Sequence, residues 1–491
     1  MHPAAIPDHR QHQNPGSPCL EDLGRRWTSA QFAAEVCRVA AGLAGHGIRA
    51  GDVVGAMLPN RLELITLLFA TWRLGAALTP VNPALTAAEA RFQLDDCAAR
   101  LVVTDDDNLP KVTPGRAAVL TLDNYRALTG TPPDLRAEES DVALIIYTSG
   151  TTGRPKGVVL DHANITAMAG MLVSWFRFTH ADRCLLILPL FHVNGLMASV
   201  VSPLTAGGST IVAPRFEPGQ FWSWVARFRP TYFSAVPTIY LLLNAQPGTA
   251  QPDTSSVRFA VCGAAPMPRE AISAFQDRYH IPVVEGYGLS EGTVASTINP
   301  LDGPREAGTV GVALPGQRVA IVDDHDAPVP PRQIGEVVIH GANVMRGYLG
   351  QPEETSACLR GGWLHTGDVG FLDDDGYLTL VDRKKDMIIR GGENIYPKEI
   401  ESALYAHPAV LEAAVVGRPD EIYGEQPVAF VSLRPGQHVT AEQLKEHCRT
   451  RLAPFKCPRE YLIIDTLPKN PIGKIIKEPL RDQARSQPRP E

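Results

Sequence analysis

Hydrophobic and polar positions follow two different periods along this chain, and the periods mark its elements. Between Thr28 and Gly47 the residues Phe32, Val36, Val39, Ala40 and Leu43 recur at helical spacing, and Gly45-His46-Gly47 supplies a stop. The short apolar run from Asp52 to Leu58 reads as a strand, and Arg61 to Leu74 as a second helix. Further strand candidates are Leu101 to Thr104, Val119 to Leu122, Val142 to Ile146, Val158 to Leu160 and Leu185 to Leu188. This rhythm is expected to continue to about residue 340, and it predicts an α/β body with helices packed on mostly parallel sheets. Past residue 384 the pattern changes. Val410 to Val416 and Pro427 to Leu433 look like strands and Ala441 to Leu452 like a helix, which predicts a compact α+β domain of about 105 residues. The first 27 residues carry no such period and are expected to form a loose tail.

Composition narrows the class without naming it. A chain of 491 residues with 44% hydrophobic and 20% charged side chains is an ordinary globular protein of several domains. Its net charge of −7 argues against a nucleic-acid partner, whose phosphates need a basic face. The eight cysteines are scattered without a CxxC pair, so neither a zinc site nor a disulfide framework is expected, and a reducing cytoplasm is the default. The N-terminus lacks a basic start followed by an apolar core, and no run approaches 18 apolar residues, so neither secretion nor a membrane span is expected.

The chemistry concentrates after the run Val142 to Ile146, in Tyr147-Thr148-Ser149-Gly150-Thr151-Thr152-Gly153-Arg154-Pro155-Lys156-Gly157. Three glycines let backbone N–H groups turn toward an anion, four hydroxyls add donors, and Arg154 and Lys156 supply positive charge against a polyphosphate. The spacing is not GxxxxGK[ST], and a strand rather than a helix follows, so a phosphate would be held by a hairpin-like loop. Farther on, Tyr232 to Tyr240 is apolar and aromatic, as a substrate wall would be, although core packing accounts for it equally well. The small residues Gly263-Ala264-Ala265 end a strand and would let a flat ring approach the backbone. Taken alone, His192 is an ordinary core or helix-end histidine, the charges of 382–386 a solvated turn, and Lys474 an exposed charge.

Together these segments resemble the adenylate-forming superfamily, which includes acyl-CoA synthetases, firefly-type luciferases and nonribosomal adenylation domains. TSGTTGRPKG matches its signature loop almost letter for letter, and PLFH, EGYGLSE, TGD, DRKKD and PKNPIGK follow in the family's order, between Thr28 and Ile476. The resemblance implies a large adenylation domain over 28–384 and a small mobile domain over 385–491, hinged at Lys385. It implies that Thr148, Ser149, Gly150, Thr151, Thr152 and Lys156 cradle the phosphates of ATP. Gly263, Ala264 and Ala265 would lie beside adenine, with Tyr287 stacking on it in the company of Gly288 and Ser290. Glu291, with Thr151, would hold Mg²⁺, which suits an ion that takes one or two carboxylates plus phosphate oxygens. Asp368 would accept from the ribose hydroxyls, Arg383 would contact ribose and phosphate, and Lys474 would catalyse adenylation. His192 would gate the junction of the acyl pocket and the pantetheine tunnel, and Gly391, Gly392 and Glu393 would line that tunnel for coenzyme A.

The implied reaction activates a carboxylic acid to an acyl adenylate and then transfers the acyl group to coenzyme A. The alternative is a stand-alone adenylating enzyme that delivers to a carrier-protein thiol or another nucleophile. Phe191, Asn194, Tyr232, Val236 and Gly286 are the candidate substrate pocket. Family members specific for malonate place an arginine where this chain has Gly286, so the acid is expected to be an apolar monocarboxylate, either an aryl acid or one of medium or long chain. Asn194 stands against that expectation: PLFHVNGL also resembles the segment of oxalate-activating relatives, in which case the amide would bind a hydroxyl or a second acid group.

Overall fold

The computed structural model describes residues 1–113, 115–131, 133–149 (149 without its side chain), 155–246, 252–265, 267–306, 308–391, 393–469 and 475–486. The chain divides into two compact units, Met1–Val319 with Ile339–His365 and Ala320–Val338 with Thr366–Glu491.

In the larger unit seven strands form a sheet in the order Gly347–Tyr348, Pro155–Asp161, Val142–Ser149, Ala77–Pro80, Val53–Met57, Leu101–Thr104, Ala118–Thr121. From Val142–Ser149 to Ala118–Thr121 every pairing is parallel, the arrangement that crossover helices produce. The helix Ser29–Gly45, which leads into this sheet, starts at a Thr28/Gln31 capping box and buries the predicted stripe of Phe32, Val36, Val39, Ala40 and Leu43. Burying each large apolar side chain contributes about 1.5–3 kcal/mol. Its neighbour Leu62–Arg73 is buried along its whole length, which explains why its sequence is apolar nearly all round.

The second sheet of this unit has nine strands. Val283–Tyr287, Phe259–Cys262, Tyr232–Ala235, Arg183–Leu186, Ser209–Val212 and Pro18–Glu21 are parallel neighbours in that order. Parallel strands deliver their carboxyl ends to one edge. There the segments after residues 186, 235, 262 and 285 emerge side by side, and they are the segments that carry the candidate site.

Two expectations fail in this unit. The first 27 residues are ordered: they form the helix Ile6–Gln13 and the strand Pro18–Glu21, and Ala4, Ile6, Cys19 and Leu20 are buried. They are held by the pairing of Leu20 with Thr210 and by buried Arg10, which donates to the carbonyls of Leu204 at 3.1 Å and Pro18 at 3.0 Å. Contacts that span some 190 residues leave no local period to read. The helix–strand rhythm stops at Val283–Tyr287 rather than near residue 340. Short antiparallel strands follow, Thr297–Ile298 and Val312–Ala313, within a stretch punctuated by Gly303, Pro304, Gly308, Gly311, Pro315 and Gly316. Gly311 illustrates the constraint: its φ is +82°, and an added Cβ would stand 2.0 Å from the Asn299 nitrogen.

The smaller unit carries most of a four-stranded sheet, ordered Gln317–Val322, Gly335–Gly341, Leu364–Leu372, Leu378–Arg383. A five-stranded sheet contains Glu393–Ile395, Ile388–Arg390, Gly424–Leu433 and Val410–Asp420, with Glu460–Ile463 parallel to Gly424–Leu433. Ile388, Ile400, Leu404, Val415, Val431 and Leu444 belong to one core here, joining this sheet to the helices Pro397–Tyr405 and Ala441–Arg449. The α/β body and the α+β C-terminal part are both present.

Candidate active site

Val142–Ser149 and Pro155–Asp161 pair as an antiparallel hairpin, with Thr148 opposite Lys156 and Ser149 opposite Pro155. The phosphate-loop candidates Gly150, Thr151 and Thr152 lie outside the described residues, as does the Ser149 side chain. The hairpin itself is the arrangement expected for this loop. Lys156 forms an ion pair with Glu354 and stands 5.1 Å from the centroid of the Tyr348 ring. Tyr348 in turn donates from its hydroxyl to Glu291 Oε1 at 2.9 Å. Burial, with the Glu291 charge beside it, drives the Tyr348 phenol well above its ordinary range and keeps it a donor. One tyrosine therefore links the phosphate-loop lysine to the candidate metal carboxylate.

The signature around Tyr287 is held by its backbone. An alanine at Gly288 would place Cβ 2.1 Å from the Val294 carbonyl oxygen and 2.6 Å from the Ala295 Cα, so only glycine fits. Ser290 and Glu291 lie in a single 3-10 turn, Ser290–Gly292, and Thr293 and Val294 follow at φ +54° and +103°. A β-branched residue in that region costs about 1–3 kcal/mol and must be held in place from outside. Asn343 does this: its Nδ2 donates to the Gly292 carbonyl at 2.8 Å and to Gln317 Oε1 at 3.1 Å, and its own carbonyl accepts from Thr293 Oγ1 at 2.6 Å. Met345 N donates to the Glu291 carbonyl at 2.8 Å. Gly263 is nearly open on its Cβ side, and Ala264, at φ +71°, and Ala265 are exposed, as a surface that receives a flat ring must be.

At the end of the strand Arg183–Leu186, Asn60 fixes the segment that carries His192. Its Nδ2 donates to the Leu188 and Ala213 carbonyls, and its Oδ1 accepts from Leu190 N at 2.9 Å. The His192 ring lies 4.5 Å from that of Phe191, and its Nε2 is buried without a hydrogen-bond partner among the described residues. Burial lowers its pKa to about 4, so the imidazole is neutral at pH 7 and suits an apolar gate rather than a charged one. Gly195 is required because an added Cβ would stand 2.5 Å from the Pro189 carbonyl. Asn194 Oδ1 accepts from Ser234 Oγ at 3.0 Å, and Val236 is half-buried at the start of the helix Pro237–Asn244.

Two pocket assignments change. Tyr232 is core: its ring stacks on Phe178 and Phe259 at 4.6 and 5.4 Å, and its hydroxyl donates to the Ala198 carbonyl at 2.8 Å, so it has no face left for substrate. Strand alternation sends residues 232 and 233 to opposite faces, and both are buried; the aromatic composition of this stretch came from packing. Gly286 does not leave free room where a side chain would begin, since its Cβ position is 3.1 Å from Ile298 Cγ1 and 3.2 Å from the Thr297 carbonyl. The cross-strand pairing of Gly286 with Ile298 closes that side. A cavity of about 230 Å³ reaches Val283 and Glu285, which point to the opposite face of the same strand from Gly286.

In the smaller unit Asp368 and Arg383 face each other across paired strands, and Arg383 Nε lies 2.9 Å from Asp368 Oδ1. Thr366 Oγ1 donates to the Val337 carbonyl at 2.7 Å and accepts from Asp368 N at 3.1 Å, which orients the turn. Lys385 lies in the 3-10 turn Lys384–Asp386. Lys384 is 2.9 Å from Asp324 and 3.5 Å from Glu336, and Asp382 accepts from Lys398 N at 2.8 Å. Gly391, at φ +59°, turns the hairpin between Ile388–Arg390 and Glu393–Ile395 and donates to the Tyr423 carbonyl at 2.7 Å; Glu393 is exposed. Gly392 and Lys474 lie outside the described residues.

Sequence reading missed Asn60, Asn343, Tyr348 and Glu354. Asn60, Asn343 and Tyr348 showed only as polar side chains inside apolar or glycine-rich stretches, Glu354 showed no local signal, and their roles come from contacts remote in sequence. Among the described residues no group of three or more His, Cys, Asp or Glu could hold a metal. A single carboxylate such as Glu291 nevertheless fits Mg²⁺ that takes its other ligands from phosphate and water.

The larger unit thus carries the hairpin of Val142–Ser149 and Pro155–Asp161 and the glycine-locked turn with Tyr287 and Glu291, and the smaller unit carries the Asp368–Arg383 pair. The chain belongs to the AMP-binding enzyme family: that family's model matches residues 7–349, and the model of the AMP-binding enzyme C-terminal domain matches residues 399–474. It is similar to a feruloyl-CoA synthase of an Amycolatopsis species, 37% identical with 97% of each chain covered. A long-chain-fatty-acid–CoA ligase of Bacillus subtilis is 33% identical, over 96% of this chain and 92% of the relative. An oxalate–CoA ligase of Arabidopsis thaliana is 36% identical, over 87% and 88%. Among solved structures, ATP-bound MatB from Rhodopseudomonas palustris superposes with a TM-score of 0.93 at 33% identity over 99% of each chain. The o-succinylbenzoate CoA synthetase of B. subtilis with its acyl-adenylate intermediate gives 0.91 at 31% identity, also over 99% of each. The chain is an AMP-forming acid–thiol ligase of the acyl-CoA synthetase branch, with ATP and coenzyme A as substrates. No helix among the described residues is long and apolar enough to cross a membrane.

Proposed function

We propose that this ligase activates a mainly apolar monocarboxylate, an aryl acid or a fatty acid of medium or long chain, and delivers it to coenzyme A. The observation that carries the reading is the neutral His192 imidazole beside Phe191, its Nε2 buried with no hydrogen-bond partner among the described residues, on a segment with no cationic side chain between Leu188 and Leu196. A second carboxylate entering there would lose its hydration without a counter-charge, at a cost of several kcal/mol. The feruloyl and long-chain fatty-acid relatives are named for acids of this kind. Asn194 and Ser234 are the polar point on the route and suit a hydroxyl or ether oxygen on the acid.

In the first half-reaction a carboxylate oxygen attacks the α-phosphorus of ATP, the α–β bridging bond breaks and pyrophosphate leaves. The phosphate-loop residues and Lys156 position the polyphosphate, Asp368 and Arg383 hold the ribose, and Lys474 bridges carboxylate and α-phosphate. Glu291, with Thr151, would hold Mg²⁺, which supplies charge neutralisation at the phosphates when bound. In the second half-reaction the coenzyme A thiolate attacks the adenylate carbonyl and AMP departs. The working halves are residues 28–384 and 385–491; rotation at Lys385 withdraws Lys474 and presents Gly391, Gly392 and Glu393 to the pantetheine. Eight free cysteines fit a reducing cytoplasm.

The test is pyrophosphate release across a panel of acids, with and without coenzyme A. Aryl or longer aliphatic acids are expected to be the best substrates and to yield thioester with coenzyme A alone. Malonate or oxalate as the best acid, or product only when a carrier protein is supplied, would overturn the proposal.

A further inference from the structure

Lys156 is held by a part of the chain to which neither the sequence reading nor the reaction assigns a role. Its ammonium is paired with Glu354, and its side chain is 12% exposed against 39% for the carboxylate. Glu354 sits in the first turn of the short helix Pro352–Cys358, and the segment just before that helix, the strand Gly347–Tyr348 with its flanks, is fixed to the phosphate-loop hairpin by its backbone. Arg346 N donates to the Val159 carbonyl at 3.0 Å and Leu349 N to the Gly157 carbonyl at 2.8 Å. Thr355 Oγ1 accepts from Tyr348 N at 2.9 Å and donates to the Gln351 carbonyl at 2.7 Å. Thr355 also packs so closely on Gly347 that an added Cβ there would stand 2.5 Å from its Cγ2. The pair is thus a built contact on a fixed bracket rather than the meeting of two free surface chains.

A lysine this hidden has lost much of its hydration, and an opposite charge must replace it while the phosphates are away. Once a polyphosphate arrives, the same carboxylate becomes a like charge competing for the same ammonium. We propose that Glu354 is a stand-in anion for Lys156, occupying the ammonium in the empty site and competing with pyrophosphate for it. The proposal rests on the reading of 147–157 as the phosphate loop. Nucleotide and pyrophosphate must each displace Glu354 from Lys156, and the returning carboxylate helps pyrophosphate leave. Glu354 is a positioning residue, since it acts on the phosphates through the lysine.

The test is isothermal titration of inorganic pyrophosphate with Mg²⁺ into the full-length enzyme. Glu354→Gln, which keeps size and loses charge, is expected to bind pyrophosphate about two- to fivefold more tightly, the range set by a partly exposed ion pair. Glu354→Asp is expected to return toward the wild-type constant. In a Lys156→Met background the Glu354→Gln gain is expected to vanish, because the competed group is gone. Unchanged or weaker binding by folded Glu354→Gln, or the same gain without Lys156, would overturn the proposal. If Glu354→Gln does not fold, Glu354→Ala gives the same reading. Wild-type enzyme that binds no pyrophosphate would overturn the phosphate-loop reading beneath it, an outcome distinct from binding that ignores residue 354.

Discussion

The two units hold their candidate site residues by different means. In the larger one, the loops carrying His192 and Tyr287 are placed by backbone that has no alternative: Gly288 and Gly195 sit where a Cβ would collide with main-chain atoms, and Asn343 and Asn60 satisfy carbonyls that fix the two loops. In the smaller one the candidates Asp368 and Arg383 form an ion pair with each other, and Lys384, beside Arg383 and Lys385, pairs with Asp324 and Glu336. Backbone packing resists displacement, whereas ion pairs whose cation is nearly half exposed, as Arg383 is at 43% and Lys384 at 44%, contribute little each. The difference is one of rigidity: the two loops of the larger unit cannot shift without moving main chain, whereas the pairs of the smaller unit can part with side-chain movement alone.

The comparison breaks most visibly at Lys474. Lys474→Ala is expected to slow acyl-adenylate formation by about 10²–10³-fold, as loss of one preorganised charge at a transition state does, while thioester formation from supplied adenylate is largely retained. Single-turnover assays of each half separate the two, and equal losses in both would contradict the division. Next comes Lys385→Pro, which fixes φ at about −65° in the turn Lys384–Asp386. It is expected to cut coenzyme A transfer about tenfold or more with adenylation mostly intact, as hinge changes that gate one step do; an unchanged thioester rate would remove Lys385 from the hinge.

Gly288→Ala probes the rigid side, and because main chain has to move it is expected to cost about 1–3 kcal/mol in urea unfolding and to raise KM for ATP. The smallest effect concerns pH. Burial holds the folded His192 near 4 against an ordinary 6.5, so the unfolded chain takes up the proton first. Stability is therefore full above pH 6.5 and is lost as pH falls from 6.5 toward 4. His192→Gln is expected to lose less stability between pH 7.5 and pH 5 than wild type, by urea midpoint. The slope that remains belongs in part to His162, which burial lowers to about 3.

The elements that repeat locally were legible in the sequence. Ser29–Gly45, Leu62–Arg73, Leu101–Thr104 and the paired strands Val142–Ser149 and Pro155–Asp161 stand within a few residues of where periodicity puts them. What was not legible depended on distance along the chain. The N-terminal strand finds its partner near residue 210, and the antiparallel strands after residue 290 are too short to show a period. For the site, short motifs located the residues that resemble a ligand-binding set, but composition could not separate a wall from a core. Tyr232 and Phe233 read the same way until stacking and the Ala198 carbonyl accounted for Tyr232. Glu354 carried no motif of its own; only its contact with Lys156 gave it a role.

The central claim is that a carboxylate oxygen of the acid becomes bonded to the α-phosphorus of ATP before the thiol arrives. The direct measurement is turnover of an acid labelled with heavy oxygen in its carboxylate, with ATP and coenzyme A, followed by mass spectrometry of the nucleotide and phosphate products. The account predicts one labelled oxygen in AMP, none in pyrophosphate, and thioester equal in amount to AMP. ADP in place of AMP, or AMP without label, would contradict it.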